Sequence, residues 1–253
     1  MKNYNYKTLA KYYDLLELEE YTPKYQNEFL SKFFKENNVR SILDITCGTG
    51  AQTIFLKQEG FDITGNDLSE DMLSIAKNKA QKENLKIHFT NMDIRTGNFN
   101  KYDAIISQCN SIGHLTEKDF NKALKNIANS LTDNGYFIFD ISNYNKCCLE
   151  NMSKEFIDIC IKKDNYKVVR ILKNRFNKKK QIINLKQQIL IQEDKELKKF
   201  KNTWDLKVYS SIQLKKILNN NGFKILNLFN RHGCEFNDKK SWFILVIAQK
   251  NPQ

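Results

Sequence analysis

Hydrophobic positions along this chain follow two regimes. Between Ser41 and Ile141, short apolar runs alternate with stretches of helical spacing. Ile42–Ile45, Phe61–Gly65, Lys86–Phe89, Tyr102–Ser107 and Tyr136–Ile141 read as strands of a parallel sheet. Between them, Ala51–Gln58 carries Ile54 and Phe55, the stretch after Ser69 turns Met72, Ile75 and Ala76 inward, and Asp119–Leu131 is amphipathic, closed by a turn at Thr132–Gly135. Ser69 stands as N-cap, with Glu70 and Asp71 in the first turn of its helix. From Glu155 to Leu206 the period drops to two: Ile157, Ile159 and Ile161, then Val169 and Ile171, then Ile183, Leu185, Ile189 and Ile191 predict three or four antiparallel strands. A helix capped by Ser210 and a strand pair, Phe223–Phe229 and Trp242–Ala248, close the chain. At the other end, Tyr4–Glu20 predicts a helix, and Pro23 starts a second, with Phe29, Leu30, Phe33 and Phe34 on its apolar face.

The chemistry gathers where the first strand stops. Ser41–Gly50, SILDITCGTG, is strand, glycine turn and helix start. In an open parallel sheet, ligands bind where such a turn leaves the carboxyl end of a strand. A dinucleotide fingerprint needs a third glycine where this chain has Thr53, and the Gly-Lys-Ser/Thr of a P-loop is missing. Asp67 ends the second strand, 17 residues after Gly50, and a carboxylate there can accept from both ribose hydroxyls of a nucleoside. The pair suits an adenosine-containing ligand without a pyrophosphate.

Four stretches resemble the class I S-adenosylmethionine-dependent methyltransferases: DITCGTG from Asp44, GFDITGNDLSEDMLSIAKNKA from Gly60, YDAIISQCNSIGHL from Tyr102 and FIFDISNYN from Phe137. Within that superfamily the last two look most like the small-molecule N-methyltransferases of glycine/sarcosine and amino-sugar type. The resemblance implies an α/β, Rossmann-like, doubly wound, seven-stranded, mostly parallel sheet with helices on both faces. It implies an antiparallel β insertion before the last helix and strand pair. Residues 1–145 would form lid helices and the S-adenosylmethionine-binding core, 146–209 the insertion over the acceptor pocket, and 210–253 the closing helix and strands. For the cofactor it implicates Asp44, Thr46, Gly48, Gly50, Asp67, Leu68 (against the adenine), Asp93 and Ile94 (at the adenine edge) and Gln108. For the methyl acceptor it implicates Asn110, His114 and Tyr13. Each side chain also has a plainer reading: Asp44 caps backbone donors, Asp93 sits in a turn, His114 orders a loop, and Tyr13 packs the lid. Gln108-Cys109-Asn110-Ser111 has neither the proline of adenine-amine methyltransferases nor the Pro-Cys of C5-cytosine enzymes, so Cys109 reads as strand-end packing. Ser142 stands where glycine-type relatives carry an arginine for the substrate carboxylate. That departure argues against glycine and leaves an amine on a sugar, a polyamine or another small metabolite.

Composition changes this picture little. The chain has 253 residues, 41 Lys+Arg against 29 Asp+Glu, and a net charge of +12. Such charge can serve nucleic acid. The lysines are spread, however, and Lys178-Lys179-Lys180 reads as an exposed turn, so a solvated surface is favoured. Six scattered cysteines offer no disulfide framework or metal spacing. No stretch has the length of a membrane span and the N-terminus lacks an apolar leader, so a cytoplasmic protein is expected. Two rivals remain: an RNA methyltransferase on the same core, and a methyltransferase-fold protein that binds without turnover. Arg170, Arg175, Trp204 and Tyr209 are candidate pocket residues of the insertion.

Overall fold

The structure is a computed structural model and describes residues 9–16, 24–150, 153–163 and 165–252. Its frame is a seven-stranded sheet. β1 (Ser41–Asp44) lies inside the sheet, flanked on one side by β2 (Asp62–Asn66) and β3 (His88–Thr90) and on the other by β4 (Tyr102–Ser107) and β5 (Leu131–Ser142). All these pairs are parallel. β10 (Phe223–Phe229) and β11 (Phe243–Lys250) finish the sheet, with β11 antiparallel to both β5 and β10.

Period-two alternation divides the core into two layers. Leu43, Ile105, Phe137, Phe139 and Val246 face α5 (Glu117–Asn129) and α7 (Ser211–Asn220), where they meet Phe120, Leu124, Leu214 and Leu218. Ile42, Ala104, Ile106, Ile138 and Leu245 face α2 (Lys24–Glu36) and α3 (Ala51–Gln58), where they meet Leu30, Phe34 and Leu56. Both layers are buried, which is why these strands read as continuous apolar runs.

Helix ends follow their caps. Ser69 accepts from Met72 N ahead of α4 (Glu70–Lys82), and Ser210 and Gln213 form a capping box on α7. α5 begins two residues before its expected start because the Thr116 hydroxyl caps it, accepting from Asp119 N at 3.1 Å. The expected turn at 132–135 is instead a bulge inside β5: Leu131 pairs with Tyr102 and Tyr136 with Ala104, and left-handed Asn134 absorbs the excess.

After β5 comes a short helix, α6 (Tyr144–Leu149), and then a four-stranded antiparallel meander of β6 (Glu155–Lys163), β7 (Tyr166–Asn177), β8 (Ile182–Glu193) and β9 (Glu196–Lys207). Two facing assignments need correction. A bulge between Ile157 and Ile159 turns Ile157 outward (63% exposed) while Ile159 is buried (1%). On β7 the inner residues are Val168, Arg170, Leu172 and Asn174, not Val169 and Ile171, because Asn174 pairs with inner-face Leu185 and Val168 with Ile191.

The N-terminal segment is shorter than a full helix. Ala10–Tyr12 is one 3-10 turn and α1 (Tyr13–Leu16) one α turn; the rest of Tyr4–Glu20, and Pro23, lie outside the described residues. This strap buries Leu9, Tyr12 and Leu16 against Ile159, Val168, Ile189 and Ile191 of the meander. Among the described residues, no helix is long and apolar enough to cross a membrane.

Candidate active site

The site begins with the backbone after β1. Gly48 and Gly50 have φ of 54° and 85°, left-handed values that glycine adopts without strain. A Cβ on Gly50 would stand 3.0 Å from the Ala76 Cβ, so α4 packs too closely for a larger residue. Gly48 N donates to Asp67 Oδ2 at 2.8 Å, and Ser69 N donates to Asp67 Oδ1 at 2.9 Å. Burial raises the Asp67 carboxyl above its ordinary value, against these two hydrogen bonds. Leu68, immediately beyond, is 68% exposed.

Beneath the loop, Asp44 is buried and accepts from Thr53 Oγ1 at 2.7 Å. Burial pushes its pKa up to about 7, and the Asp67 charge adds to the rise. Thr46 Oγ1 and Ser107 Oγ lie 2.9 Å apart, joining the ends of β1 and β4. Asn66 was missed in the sequence, yet it frames the site. Its amide donates to Ile45 O and Met92 O, and its Oδ1 accepts from Thr90 Oγ1 and Met92 N.

Two expected adenine-side residues are otherwise engaged. Asp93 receives the Arg95 guanidinium on both oxygens, which holds its carboxyl below the ordinary range, and Arg95 also reaches Asp119. An adenine amino group would share these oxygens with Arg95. Ile94 packs against the α5 layer, and its carbonyl accepts from Asn126. Gln108 is buried; its amide receives Gln26 Nε2 from α2 and donates to Ile138 O.

On the acceptor side, Cys109 and Asn110 both have positive φ, 59° and 58°. Cys109 is exposed, so it is not the strand-end packing residue that the sequence suggested. Asn110 is locked: its N–H donates to Asp140 Oδ1 at 2.7 Å, and its Oδ1 accepts from Ser142 N at 3.0 Å. Asp140 is fully buried, and its other oxygen takes the Arg231 guanidinium at 2.9 Å. The Arg231 guanidinium carbon lies 3.5 Å from the ring centre of Phe243, the register partner of Ser142, and the guanidinium is paired with Asp140. These partners are 91 residues apart, with no local pattern to reveal them.

His114 ends the 3-10 turn Ser111–His114, and burial pulls its pKa down to about 4. At neutral pH it is a neutral imidazole and a weak base. β9 packs against this turn. Tyr13 lies on the strap, partly buried, between Tyr12 and Asp14. Tyr12 OH donates to Glu193, which also receives Lys11, Tyr166 and Lys198. Asp14 accepts from Thr49 Oγ1 of the glycine loop. Among the insertion candidates, Arg170 pairs with Asp158, Arg175 lies on the outer face beside Asn177 and Lys178, and Trp204 is buried. Tyr209 is also buried, and its hydroxyl has no hydrogen-bond partner among the described residues.

Residues 42–135 match a family model described as a methyltransferase domain. A putative methyltransferase of Geobacillus sp. is 34% identical over 142 residues, 54% of this chain and 57% of that one. A glycine/sarcosine N-methyltransferase of Parasynechococcus marenigrum is 35% identical over 125 residues, 48% of this chain and 44% of that one. The matches thus span about half the length of these curated relatives. A crystal structure of an S-adenosylmethionine-dependent methyltransferase from Clostridium acetobutylicum superposes with a TM-score of 0.85 at 25% identity, covering 97% of this chain and 99% of that one. The chain therefore has the class I fold of S-adenosylmethionine-dependent methyltransferases.

The site fits that cofactor at three points. Left-handed glycines leave positions 48 and 50 without side chains, a carboxylate follows β2, and a buried carboxyl under the loop rises to about 7, a state that a nearby cation relieves.

Proposed function

We propose that this chain transfers the methyl group of S-adenosylmethionine to a small-molecule acceptor, an amine nitrogen, by in-line displacement. One observation carries the reading: the cofactor-side and acceptor-side residues stand on adjacent strand ends. β1 pairs with β2 and with β4, so the loop anchored by Asp67 and the turn holding Asn110 and His114 share one end of the sheet. The sulfonium supplies an activated methyl; the protein's share is positioning, which can contribute roughly 7–11 kcal/mol.

In this reading Gly48 and Gly50 admit the cofactor to the backbone, and Asp67 exchanges its hold on Gly48 N for the ribose hydroxyls. Asp44 and Thr46 face the amino-acid end; Leu68, Asp93, Ile94 and Gln108 complete that side. The acceptor nitrogen forms the new C–N bond as the S–C bond breaks, the electron pair stays on sulfur, and the nitrogen's proton leaves to water. His114, neutral at pH 7, orients the acceptor by a hydrogen bond rather than acting as a strong base. Asn110 and Tyr13 complete the acceptor side. The likeness to a glycine/sarcosine N-methyltransferase supports a small amine, and Ser142 argues against a carboxylate-bearing one.

The direct test is Asp67→Ala. It is expected to lose S-adenosylmethionine affinity by at least tenfold, about 1.4 kcal/mol, while the folded spectrum persists. Unchanged affinity removes the ribose assignment.

A further inference from the structure

Lysines that are spread along the sequence gather in the fold. Residues 155–207, the meander, hold 15 Lys and Arg against seven Asp and Glu, a surplus of eight out of the chain's +12. The strap and α6 cover the inner face of its strands. The outer face points the opposite way, because side chains alternate along a strand. There two like-charged pairs stand directly across from each other: Lys162 faces Lys167, and Lys173 faces Lys186. Their Cβ atoms are about 5 Å apart in such positions, and like charges so placed are destabilising. Lys199 and Lys201 follow on β9, opposite outward Leu190 and Gln188, about 7 Å apart by the strand repeat.

The turn Lys178-Lys179-Lys180 carries the same charge past the end of β7, where a cleft of about 630 Å³ opens between Arg175, Lys178, Lys180 and Asn184. Among the described residues, the outward strand positions hold two acids. Glu155 pairs with Lys173, and Asp205 accepts from Asn184. Lys162, Lys167, Lys186, Lys199 and Lys201 are exposed and form no ion pair among the described residues. A face that is merely solvated intersperses both signs; this one concentrates a single sign against its own repulsion.

We propose that the outer face of the meander docks double-stranded RNA through its phosphates, without reading sequence. Repeated lysines complement a repeated anion. The outward strand positions carry no aromatic residue, so the face has neither the platform on which single-stranded bases stack nor the Trp and Tyr that anchor proteins at a membrane interface. A sheet face also inserts no helix into a groove. A-form RNA suits it, because its wide, shallow minor groove displays phosphates and 2′-hydroxyls at the surface. The RNA is a docking partner here and not the methyl acceptor. The strap that reaches the glycine loop through Asp14 lies against the inner face, and the RNA against the outer one. The proposal therefore goes beyond the small-amine reading and stands whether or not that reading holds.

The test is fluorescence anisotropy of the full chain with a labelled RNA duplex of about 20 base pairs, between about 50 and 200 mM salt. Wild-type protein is expected to bind, with affinity falling steeply as salt rises. The triple variant Lys186→Gln, Lys199→Gln, Lys201→Gln is expected to lose at least tenfold in affinity, and its salt slope to shrink by about two to three. Its melting temperature is expected to hold or rise, since residue 186 no longer repels Lys173. The matched triple Lys118→Gln, Lys122→Gln, Lys125→Gln on exposed positions of α5 removes the same charge elsewhere and is expected to lose less than about threefold. Arginine at 186, 199 and 201 keeps the charge and is expected to keep the affinity. No RNA binding by wild-type protein at low salt overturns the proposal, as does equal weakening by the two glutamine triples or loss of binding in the arginine triple. Tighter binding to a DNA duplex, to phosphatidylserine vesicles or to polyglutamate than to the RNA overturns it as well.

Discussion

Thr49 Oγ1 donates to Asp14 Oδ1 at 2.7 Å, and Lys79 Nζ lies 2.6 Å from the other oxygen of the same carboxylate. One side chain thus ties the N-terminal strap to both the glycine loop and α4. The contact is partly exposed, so its share of global stability is small, about 0–1 kcal/mol. Its effect belongs to the local opening of the strap. Asp14→Ala is expected to speed S-adenosylmethionine dissociation severalfold, about three- to tenfold, with a nearly unchanged melting temperature. Stopped-flow dissociation checks this, and an unchanged rate would show that the strap does not retain the ligand.

Asp44 sets a pH dependence. Its folded pKa of about 7 is raised above the unfolded value, so the folded state holds a proton that the unfolded chain has lost. Its contribution to stability is present at low pH and declines as pH rises from about 4 through about 7. A cationic ligand beside it favours the ionised form, so cofactor binding releases a proton and tightens as pH rises from 6 to 8. Asp44→Asn is expected to flatten both trends, as read by calorimetry in buffers of different ionisation enthalpy.

The Asp140–Arg231 pair fixes the left-handed turn at Asn110 from a distant loop. Arg231→Met leaves a buried carboxylate uncompensated, at a cost of about 3–5 kcal/mol. The double variant Asp140→Asn, Arg231→Met removes that charge and should recover much of the loss. Chemical denaturation of both single variants and the double completes the cycle, and simple additivity would contradict the coupling.

Tyr209, whose ring packs on Phe120, carries a buried hydroxyl with no partner among the described residues. Tyr209→Phe removes only the orphan, so the protein is expected to become more stable by about 1 kcal/mol. A destabilised variant would show that the hydroxyl is satisfied in solution.

The sheet was legible because its strands are buried on both faces and end in glycine or polar turns. Tyr102–Ser107, Ala51–Gln58 and Phe223–Phe229 stand where the apolar pattern puts them. The inner face of β7 was not legible. Val168 and Val169, and then Ile171 and Leu172, are apolar neighbours, so alternation cannot choose a side; pairing with β8 does. The glycine loop and Asp67 could be read because their spacing is local. Asp14 with Thr49, and Asp140 with Arg231, could not, since each joins residues distant in sequence and brought together by topology alone.

The measurement that bears most directly on the function is S-adenosylmethionine titration by calorimetry, followed in the same samples by a methyl-transfer assay on an amine panel and a bulk tRNA/rRNA pool. The proposed function predicts cofactor binding and turnover on a small amine. Absence of cofactor binding would contradict it outright, and turnover on RNA alone would move the acceptor from a small molecule to the nucleic acid that the +12 charge can serve.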